Sequence, residues 1–307
     1  MRWVNHTADR ELHVHLMGSA RPERLRALAA RRGHRWAVLD EAALRAEFRT
    51  GDVLAFIGRY FEAVSLVTHP DDAIEILEDL ARGYAAEGVR AAEVMVTPHN
   101  VRRVSGLDPE PYVVALADAC VALSVRHGVA LALLLDVVRD EGEDAAREAL
   151  VWAERFQGRG VAGLALSGDE LGTPSAPFRD VWRRARAAGL TTTAHAGEGL
   201  TGAHVRALRE TLDALSPDRI SHGIAAALDR DLLARLRDQG TVLDVCPTSN
   251  VCTGAVVSLE AHPLPVLARA GVAFSINTDD PGMFGVTLNG EIAWARERLA
   301  LMNAGEG

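Results

Sequence analysis

The stretch Glu11-Leu12-His13-Val14-His15-Leu16-Met17-Gly18 organises this chain. Side chains alternate between the two faces of a strand, so His13 and His15 point to one side and the intervening apolar residues to the other. Two imidazoles on one strand face form half of a metal site, although a histidine pair at this spacing also arises by chance. An apolar strand that stops at a glycine favours a site at the mouth of a sheet or barrel.

Length, composition and charge limit the classes to which the chain can belong. Its 307 residues suit either one large domain or two medium ones, because barrel folds often reach about 250 residues as a single domain. With 48% hydrophobic and 24% charged residues, the chain can bury a full core. A net charge of -9 opposes nucleic-acid binding. The most apolar stretch, Val129–Val138, is about half a membrane span. We therefore expect one cytoplasmic domain over residues 1–307, with no membrane or nucleic-acid partner.

The cysteines and the missing lysines exclude several chemistries. Cys120, Cys246 and Cys252 form no Cys-x-x-Cys pair, which argues against a disulfide framework and a thiolate zinc finger. All 33 basic residues are arginine. The chain therefore has no lysine for a Schiff base, for a P-loop or, once carboxylated, for bridging two metal ions. If a metal is bound, we expect a single ion.

Short apolar runs alternate with helical patterns from Val89 onward. The strands predicted here are Val89–Thr97, Val129–Val138, Val161–Ser167, Leu190–His195, Arg219–Gly223, Thr241–Val245 and Val272–Asn277. Together with the first strand they give eight strand-helix units, which predict an α/β fold of the (β/α)8 TIM-barrel type. Residues 18–88 carry helical patterning too long for a simple crossover, which indicates a helical insertion that forms a lid. A doubly wound open sheet is the alternative, but no Gly-x-Gly-x-x-Gly follows the first strand.

Reactive residues stand at the ends of three late strands, where a barrel places its active site. These segments are His195-Ala196-Gly197-Glu198, Ser221-His222-Gly223 and Asn277-Thr278-Asp279-Asp280-Pro281. Each alone is explained by a core histidine, a strand end or a turn, but together they converge with the first histidine pair. Catalytic zinc takes nitrogen and oxygen ligands and keeps a position for water. The ligand set predicted on this basis is His13, His15, His195 and Asp279. Glu198 and His222 are then free for proton transfer or orientation.

In this order and spacing, the motifs resemble the adenosine and adenine deaminase family of the amidohydrolase superfamily. The resemblance rests on His13–Leu16, Ser167–Glu170, Thr193–Glu198, Arg219–Gly223, Cys246–Asn250 and Asn277–Pro281. It implies one zinc ion per chain on the four ligands above, with Asp279 also acting in catalysis. Glu198 would protonate the ring nitrogen beside the amino-bearing carbon, and His222 would orient or deprotonate the attacking water. Asp280 would bind the five-membered ring of a purine and the Gly168 backbone its six-membered ring. The implied reaction releases ammonia and leaves a hypoxanthine product.

Met17 departs from the pattern of adenosine deaminases, which normally carry an aspartate there that meets the ribose 5′-hydroxyl. A thioether is a weak hydrogen-bond acceptor and packs well against apolar or sulfur-bearing groups. Met17 therefore indicates a purine nucleoside changed at its 5′ carbon. The segments Met17–Ala20, Val96–Pro98 and Met283–Gly285 resemble the aminodeoxyfutalosine deaminase branch, in which the 5′ extension carries a benzoate.

Three other functions stay open. In the first, the protein is a deaminase of adenosine or of adenine itself. In the second, it is a related mononuclear metal hydrolase that acts on another ring or amide. In the third, the barrel binds a ligand without catalysis. Two further departures bear on these alternatives: Ser221 replaces a glycine of many relatives, and the chain ends at Gly307 soon after its eighth helix begins. Either the terminal helices of relatives are absent here or the chain is trimmed, and lid closure or dimer contacts are then expected to differ from those of relatives. A homo-oligomer is one alternative.

Overall fold

The computed structural model describes residues 2–304, and its nine strands form one parallel sheet. The strands are β1 Arg2–Trp3, β2 Arg10–His15, β3 Ala91–Val96, β4 Ala130–Val138, β5 Val161–Ser167, β6 Thr191–Ala196, β7 Arg219–His222, β8 Val242–Val245 and β9 Ala273–Ile276. Their order in the sheet is β1-β9-β8-β7-β6-β5-β4-β3-β2. The eight predicted strands are all present. The two-residue strand β1 is an addition, which pairs with β9 through Arg2 and Ala273.

The sheet curls until its two sides meet between β2 and the end of β9. Val14 forms a parallel bridge with Asp279. The His15 amide donates to the Asp279 carbonyl at 2.8 Å, and the Asp279 amide donates to the His13 carbonyl at 3.0 Å. The Asn5 side chain also donates to the Ile276 carbonyl at 2.7 Å. This closure confirms the barrel-type fold and rules out the open-sheet alternative.

Fourteen α-helices lie within the described residues. They are α1 Pro22–Arg32, α2 Glu41–Phe48, α3 Val53–Val64, α4 Pro70–Glu87, α5 Pro98–Ser105, α6 Pro109–His127, α7 Gly142–Phe156, α8 Arg179–Ala187, α9 Gly202–Leu215, α10 Arg230–Gln239, α11 Pro247–Cys252, α12 Leu264–Arg269, α13 Pro281–Phe284 and α14 Leu288–Ala304. Among these residues, no helix combines the length and apolar character needed to cross a membrane.

Helices α1 to α4 occupy the segment in which we predicted an insertion. Asp52 caps α3 by accepting from the Ala55 amide at 2.8 Å. Arg45, on α2, donates to the Gly282 carbonyl at 2.9 Å, and Arg49 donates to the Phe284 carbonyl at 2.6 Å. These bonds attach the segment to α13, directly after Asp280. Its function as a lid, and the assignment of residues 1–307 to a single domain, stay predictions.

The barrel interior changes from apolar to polar toward the carboxyl ends of the strands. Three buried side chains form an inner cluster, separate from the larger core: Met95, Leu134 and Ala165. Two residues further along the same strands, Thr97, Asp136 and Ser167 share their inward direction. The Thr97 hydroxyl donates to Asp136 Oδ2 at 2.9 Å, and the Ser167 hydroxyl donates to the same oxygen at 2.8 Å. The carboxyl end of the barrel is therefore lined with polar groups.

Candidate active site

The four predicted metal ligands meet at the carboxyl ends of β2, β6 and β9. His13 Nε2 lies 3.2 Å and His15 Nε2 3.3 Å from Asp279 Oδ1. His195 Nε2 lies 3.3 Å from His15 Nε2. One ligand atom from each of the four residues lies within 4.8 Å of all the others. The structure thus brings together residues that are up to 266 positions apart, as the distance from His13 to Asp279 shows.

The ring nitrogens in this cluster have the arrangement that a cation requires. His195 Nδ1 lies 3.0 Å from the Leu166 carbonyl, to which it donates, and His13 Nδ1 lies 3.4 Å from the Asp244 carbonyl. Both rings therefore keep an Nε2 lone pair directed at the cluster, as metal-binding histidines usually do. His13 Nε2 is buried, and among the described residues it makes no hydrogen bond. Three imidazoles and a carboxylate that converge in this way fit a zinc ion.

A second group in the cluster also has metal-ligand chemistry. Suitable atoms of His222, Cys246 and Asp279 lie within 4.8 Å of one another. Burial, with Asp279 and other carboxylates nearby, raises the pKa of the Cys246 thiol well above its usual range. Only a thiolate is an effective metal ligand. The set with three histidines is therefore the better candidate for the metal centre.

Two site residues have left-handed backbone conformations that residues other than glycine rarely adopt. The φ angle is 64° at His222 and 63° at Asp279. Such a conformation costs about 1–3 kcal/mol and is common at functional sites. It turns each side chain at a strand end, and Asp279 Oδ2 then accepts a hydrogen bond from the Ser249 hydroxyl at 2.6 Å. The fold holds both side chains in position at an energetic cost.

The Glu198 carboxyl lies beside the cluster, close to His222. Its Oε1 accepts from the Thr253 hydroxyl at 3.1 Å, and its Oε2 lies 3.9 Å from His222 Nε2. Burial, together with the nearby carboxylate of Asp279, raises the pKa of Glu198 to about 8. The carboxyl group is therefore largely protonated at neutral pH, as an acid catalyst must be.

Asp280 lies next to the metal cluster but does not belong to it. It is 3% exposed, and its Oδ1 has no hydrogen-bond partner among the described residues. Burial, followed by repulsion from Asp279 and Glu198, raises the pKa of Asp280 well above its usual range. A Cβ atom at Gly18 would lie 1.6 Å from Asp280 Oδ1, so only glycine leaves room for this carboxyl. Asp280 thus offers an O–H donor to a bound molecule.

Met17 and Gly168, the other predicted substrate contacts, lie on the same side of the barrel. Met17 is buried in the turn Met17–Ser19 and lines a small, mostly apolar cavity with Tyr60 and Tyr112. The cavity has room for about one water molecule. Tyr60 also faces the His15 ring, with the ring centroids 6.4 Å apart. Gly168 directly follows β5 with a φ of 94°, at the carboxyl end where the cluster lies.

Three polar residues near the site were not assigned a role from the sequence. Glu170 accepts hydrogen bonds from the backbone amides of Gly197 and Glu198, at 2.6 and 3.0 Å, and so holds the loop that carries Glu198. Arg139, 1% exposed, donates to the His195 carbonyl at 2.7 Å. Asp136 has a buried Oδ1 that makes no hydrogen bond to any described residue. Glu170 belongs to the Ser167–Glu170 motif, but no sequence spacing indicates which backbone amides donate hydrogen bonds to it.

The fold and the site define a class of protein, the metal-dependent hydrolases built on a β/α barrel. The sequence profile of the family described as "Adenosine deaminase" matches residues 9–305. The chain belongs to the adenosine deaminase family, within the amidohydrolase superfamily, and its members are metal-dependent deaminases.

Relatives with different named substrates resemble the chain to similar degrees. An aminodeoxyfutalosine deaminase of Streptomyces avermitilis is 38% identical over 297 residues, which covers 96% of this chain and 82% of that protein. The crystal structure of an adenine deaminase from Arthrobacter aurescens has a TM-score of 0.83 and 33% identity, and covers 96% of this chain and 88% of its own. An amidohydrolase from Burkholderia ambifaria with bound Zn has a TM-score of 0.82 and 27% identity, covering 97% and 85%. Hydrolytic deamination of an adenine-type substrate follows, while these names differ on the substrate.

Proposed function

We propose that this protein hydrolyses the 6-amino group of an adenine nucleoside that is modified at its 5′ carbon. The observation that carries the proposal is a pair of carboxyls with raised pKa values, Glu198 and Asp280, beside the histidine cluster. A purine presents acceptor nitrogens at N1 and N7. A protonated carboxyl is the form of an acidic side chain that can donate to them.

The proposed cofactor is one zinc ion per chain, held by the Nε2 atoms of the three ligand histidines and by Asp279. When bound, the ion lowers the pKa of a water molecule toward neutrality and so supplies a nucleophile at physiological pH. The converging lone pairs and the buried, unbonded His13 Nε2 support this choice.

The remaining steps belong to the side chains around the substrate. Water adds to C6, the C6=N1 double bond opens, and its electrons go to N1 as Glu198 donates a proton there. Of the two protons of the water, one passes by way of the Asp279 carboxylate to the 6-amino group, which leaves as ammonia, and the other returns to Glu198 as C6 keeps the oxygen as a carbonyl. Asp280 donates to N7, and the Gly168 amide donates to N3. These two contacts hold the ring so that C6 faces the cluster.

The 5′ modification is proposed because of Met17. In place of a carboxylate that could accept a ribose hydroxyl, this position offers a buried thioether beside a mostly apolar cavity. Such surroundings favour an apolar or sulfur-bearing 5′ group over a free hydroxyl. The similarity to an aminodeoxyfutalosine deaminase supports the same substrate class.

Adenine itself is a second candidate, favoured by the size of the cavity. Space for about one water molecule beside Met17 suits a free base better than a nucleoside with an extended 5′ group. The structural similarity to an adenine deaminase agrees with this alternative.

A substrate panel tests the proposal. Zinc-loaded protein is assayed with adenine, adenosine, methylthioadenosine and aminodeoxyfutalosine, by ammonia release and by the ultraviolet change from adenine to hypoxanthine. We expect kcat/KM for one of the two 5′-modified nucleosides to exceed that for adenosine by at least about 10-fold, which corresponds to about 1.4 kcal/mol. Highest activity on adenine would mean that the substrate is the free base and not a nucleoside. Turnover of no aminopurine would overturn the deaminase proposal.

A matched pair of Met17 variants tests the role of this side chain. Met17→Asp should shift the preference toward adenosine, because a carboxylate can accept the 5′-hydroxyl. Met17→Leu keeps an apolar side chain of similar volume and should leave the preference unchanged. The same shift in both variants would mean that Met17 acts only through packing.

A further inference from the structure

A chain of hydrogen bonds leads to His222 from the start of α12. The Leu264 amide lies 3.1 Å from His262 Nδ1, and His262 Nε2 lies 3.2 Å from Asn250 Oδ1. Asn250 Nδ2 in turn lies 3.2 Å from His222 Nδ1. The three side chains are each 2% exposed or less. Water therefore has little access to these bonds.

The direction of every bond in this chain follows from one group. A backbone amide can only donate, so His262 Nδ1 must accept from Leu264 with its lone pair. The single ring proton of His262 is then on Nε2, and Asn250 must meet it with its carbonyl oxygen. The amide nitrogen of Asn250 is thereby directed at His222. The opposite orientation of the Asn250 amide would place two donors against each other. His222 Nδ1 therefore accepts, and the proton of this ring is on Nε2.

This tautomer is the opposite of the one found in the neighbouring His13 and His195. His195 donates from Nδ1 to a carbonyl and keeps its Nε2 lone pair for a metal. His222 accepts at Nδ1 and directs Nε2–H into the site. Its Nε2 faces two acceptors, Asp279 Oδ2 at 3.7 Å and Glu198 Oε2 at 3.9 Å. The protein thus imposes different proton positions on imidazoles within one cluster.

We infer that His262 and Asn250 are positioning residues that hold His222 as the Nε2–H tautomer, so that His222 is a hydrogen-bond donor to the attacking water oxygen. A ring in this form is neither a metal ligand nor a base through Nε2. The proton released by the water then passes to the Asp279 carboxylate. The statement about water rests on the proposed function, whereas the tautomer does not.

Nitrogen NMR of histidine-labelled, zinc-loaded protein measures the tautomer directly, because protonated and unprotonated ring nitrogens have different shifts. The His222 signals are assigned by their loss in a His222→Gln variant. We expect the proton of His222 on Nε2, without any substrate present. A proton on Nδ1 would overturn the inference even if the protein is an active deaminase. Absence of turnover, with the proton on Nε2, would overturn only the proposed function.

Variants of the two positioning residues test their part. Asn250→Asp keeps the shape of the side chain but cannot donate, so the His222 proton should move to Nδ1. We expect kcat to fall about 10²-fold, as when one preorganised donor is removed from an active site, with a small change in KM. His262→Leu should give the same NMR change, and His262→Gln, which keeps a donor for Asn250, should restore the original signature.

His99→Leu is the matched control, because His99 is another buried histidine, 3% exposed, that pairs with Glu148 away from this chain of bonds. It should lower stability without moving the His222 signals. If Asn250→Asp does not fold, the NMR signals of His262→Leu and of the unmodified protein still show whether these residues set the His222 tautomer. An unchanged His222 tautomer in His262→Leu, or in a folded Asn250→Asp, would contradict the assigned role.

Discussion

Replacing Gly18 with alanine should displace the Asp280 side chain. The new Cβ would lie 1.6 Å from Oδ1, 2.4 Å from Cγ and 2.6 Å from Cβ of Asp280. Since carbon atoms in contact lie about 3.5–4.0 Å apart, the carboxyl has to move by roughly 2 Å. The Asp280 carbonyl accepts the Phe284 amide at 2.9 Å, which holds the backbone at the start of α13. The carboxyl must therefore rotate away from the substrate, and the backbone must also shift slightly, because rotation about χ1 leaves Asp280 Cβ only 2.6 Å from the new Cβ.

The size of the effect follows from the hydrogen bond that is lost. Removing one partner of a buried hydrogen bond costs about 1–3 kcal/mol, which corresponds to roughly a 5- to 160-fold fall in kcat/KM. We expect this fall for the best substrate of the panel, with an unchanged zinc content by atomic absorption. The three atoms nearest the new Cβ all belong to Asp280, and none belongs to a metal ligand.

A substrate analogue without N7 identifies the bond. The 7-deaza analogue has no acceptor at this position, so its kcat/KM is already reduced with the unmodified protein. On this analogue, Gly18→Ala should lower kcat/KM only a little further. Gly58→Ala is the control, because Gly58 lies in α3 and a Cβ there meets no atom within 4 Å. Equal losses on the two substrates, or full activity of Gly18→Ala, would refute the assignment of Asp280 to N7.

Four other predictions concern Glu198, His222 and the metal. Glu198→Gln should lower kcat by about 10²- to 10⁴-fold while the protein keeps its zinc, measured by steady-state kinetics and metal analysis. Because the protonated form of Glu198 is active and its pKa is raised to about 8, kcat/KM should fall as the pH rises through that value. Burial lowers the pKa of His222 to about 3, so His222 should add no step near neutral pH, and a step near pH 6 assigned to it would be contrary to this account. Removing the metal with a chelator should abolish turnover. It should also lower Tm, because an ion that binds only the folded state stabilises that state. An unchanged Tm and an unchanged rate would exclude a metal at this site.

The strands and the metal ligands were predictable because both leave local patterns. Apolar runs such as Val161–Ser167 are bounded by breakers, and parallel strands place their carboxyl ends together. His195 and Asp279 therefore had to approach the first histidine pair once the barrel was assumed. Strand β1, Arg2–Trp3, was not predicted because two residues are too few to show a period.

Contacts between distant segments were not predictable in the same way. The fit between Gly18 and Asp280 joins residues 262 positions apart and depends on how the barrel closes. The tautomer of His222 is set by the Leu264 amide through two other side chains, and hydrogen-bond direction has no sequence signature. Glu170 likewise holds the Glu198 loop through backbone amides, which every residue except proline has.

The central claim is that this site hydrolyses the 6-amino group of a purine, with Glu198 as the acid. The most direct measurement is the ammonia released per aminopurine consumed, made in parallel on the zinc-loaded protein and on Glu198→Gln. We predict one ammonia for each aminopurine converted by the unmodified protein, and a rate at least about 10²-fold lower for the variant. Release of no ammonia from any aminopurine, or equal release by both proteins, would contradict the account.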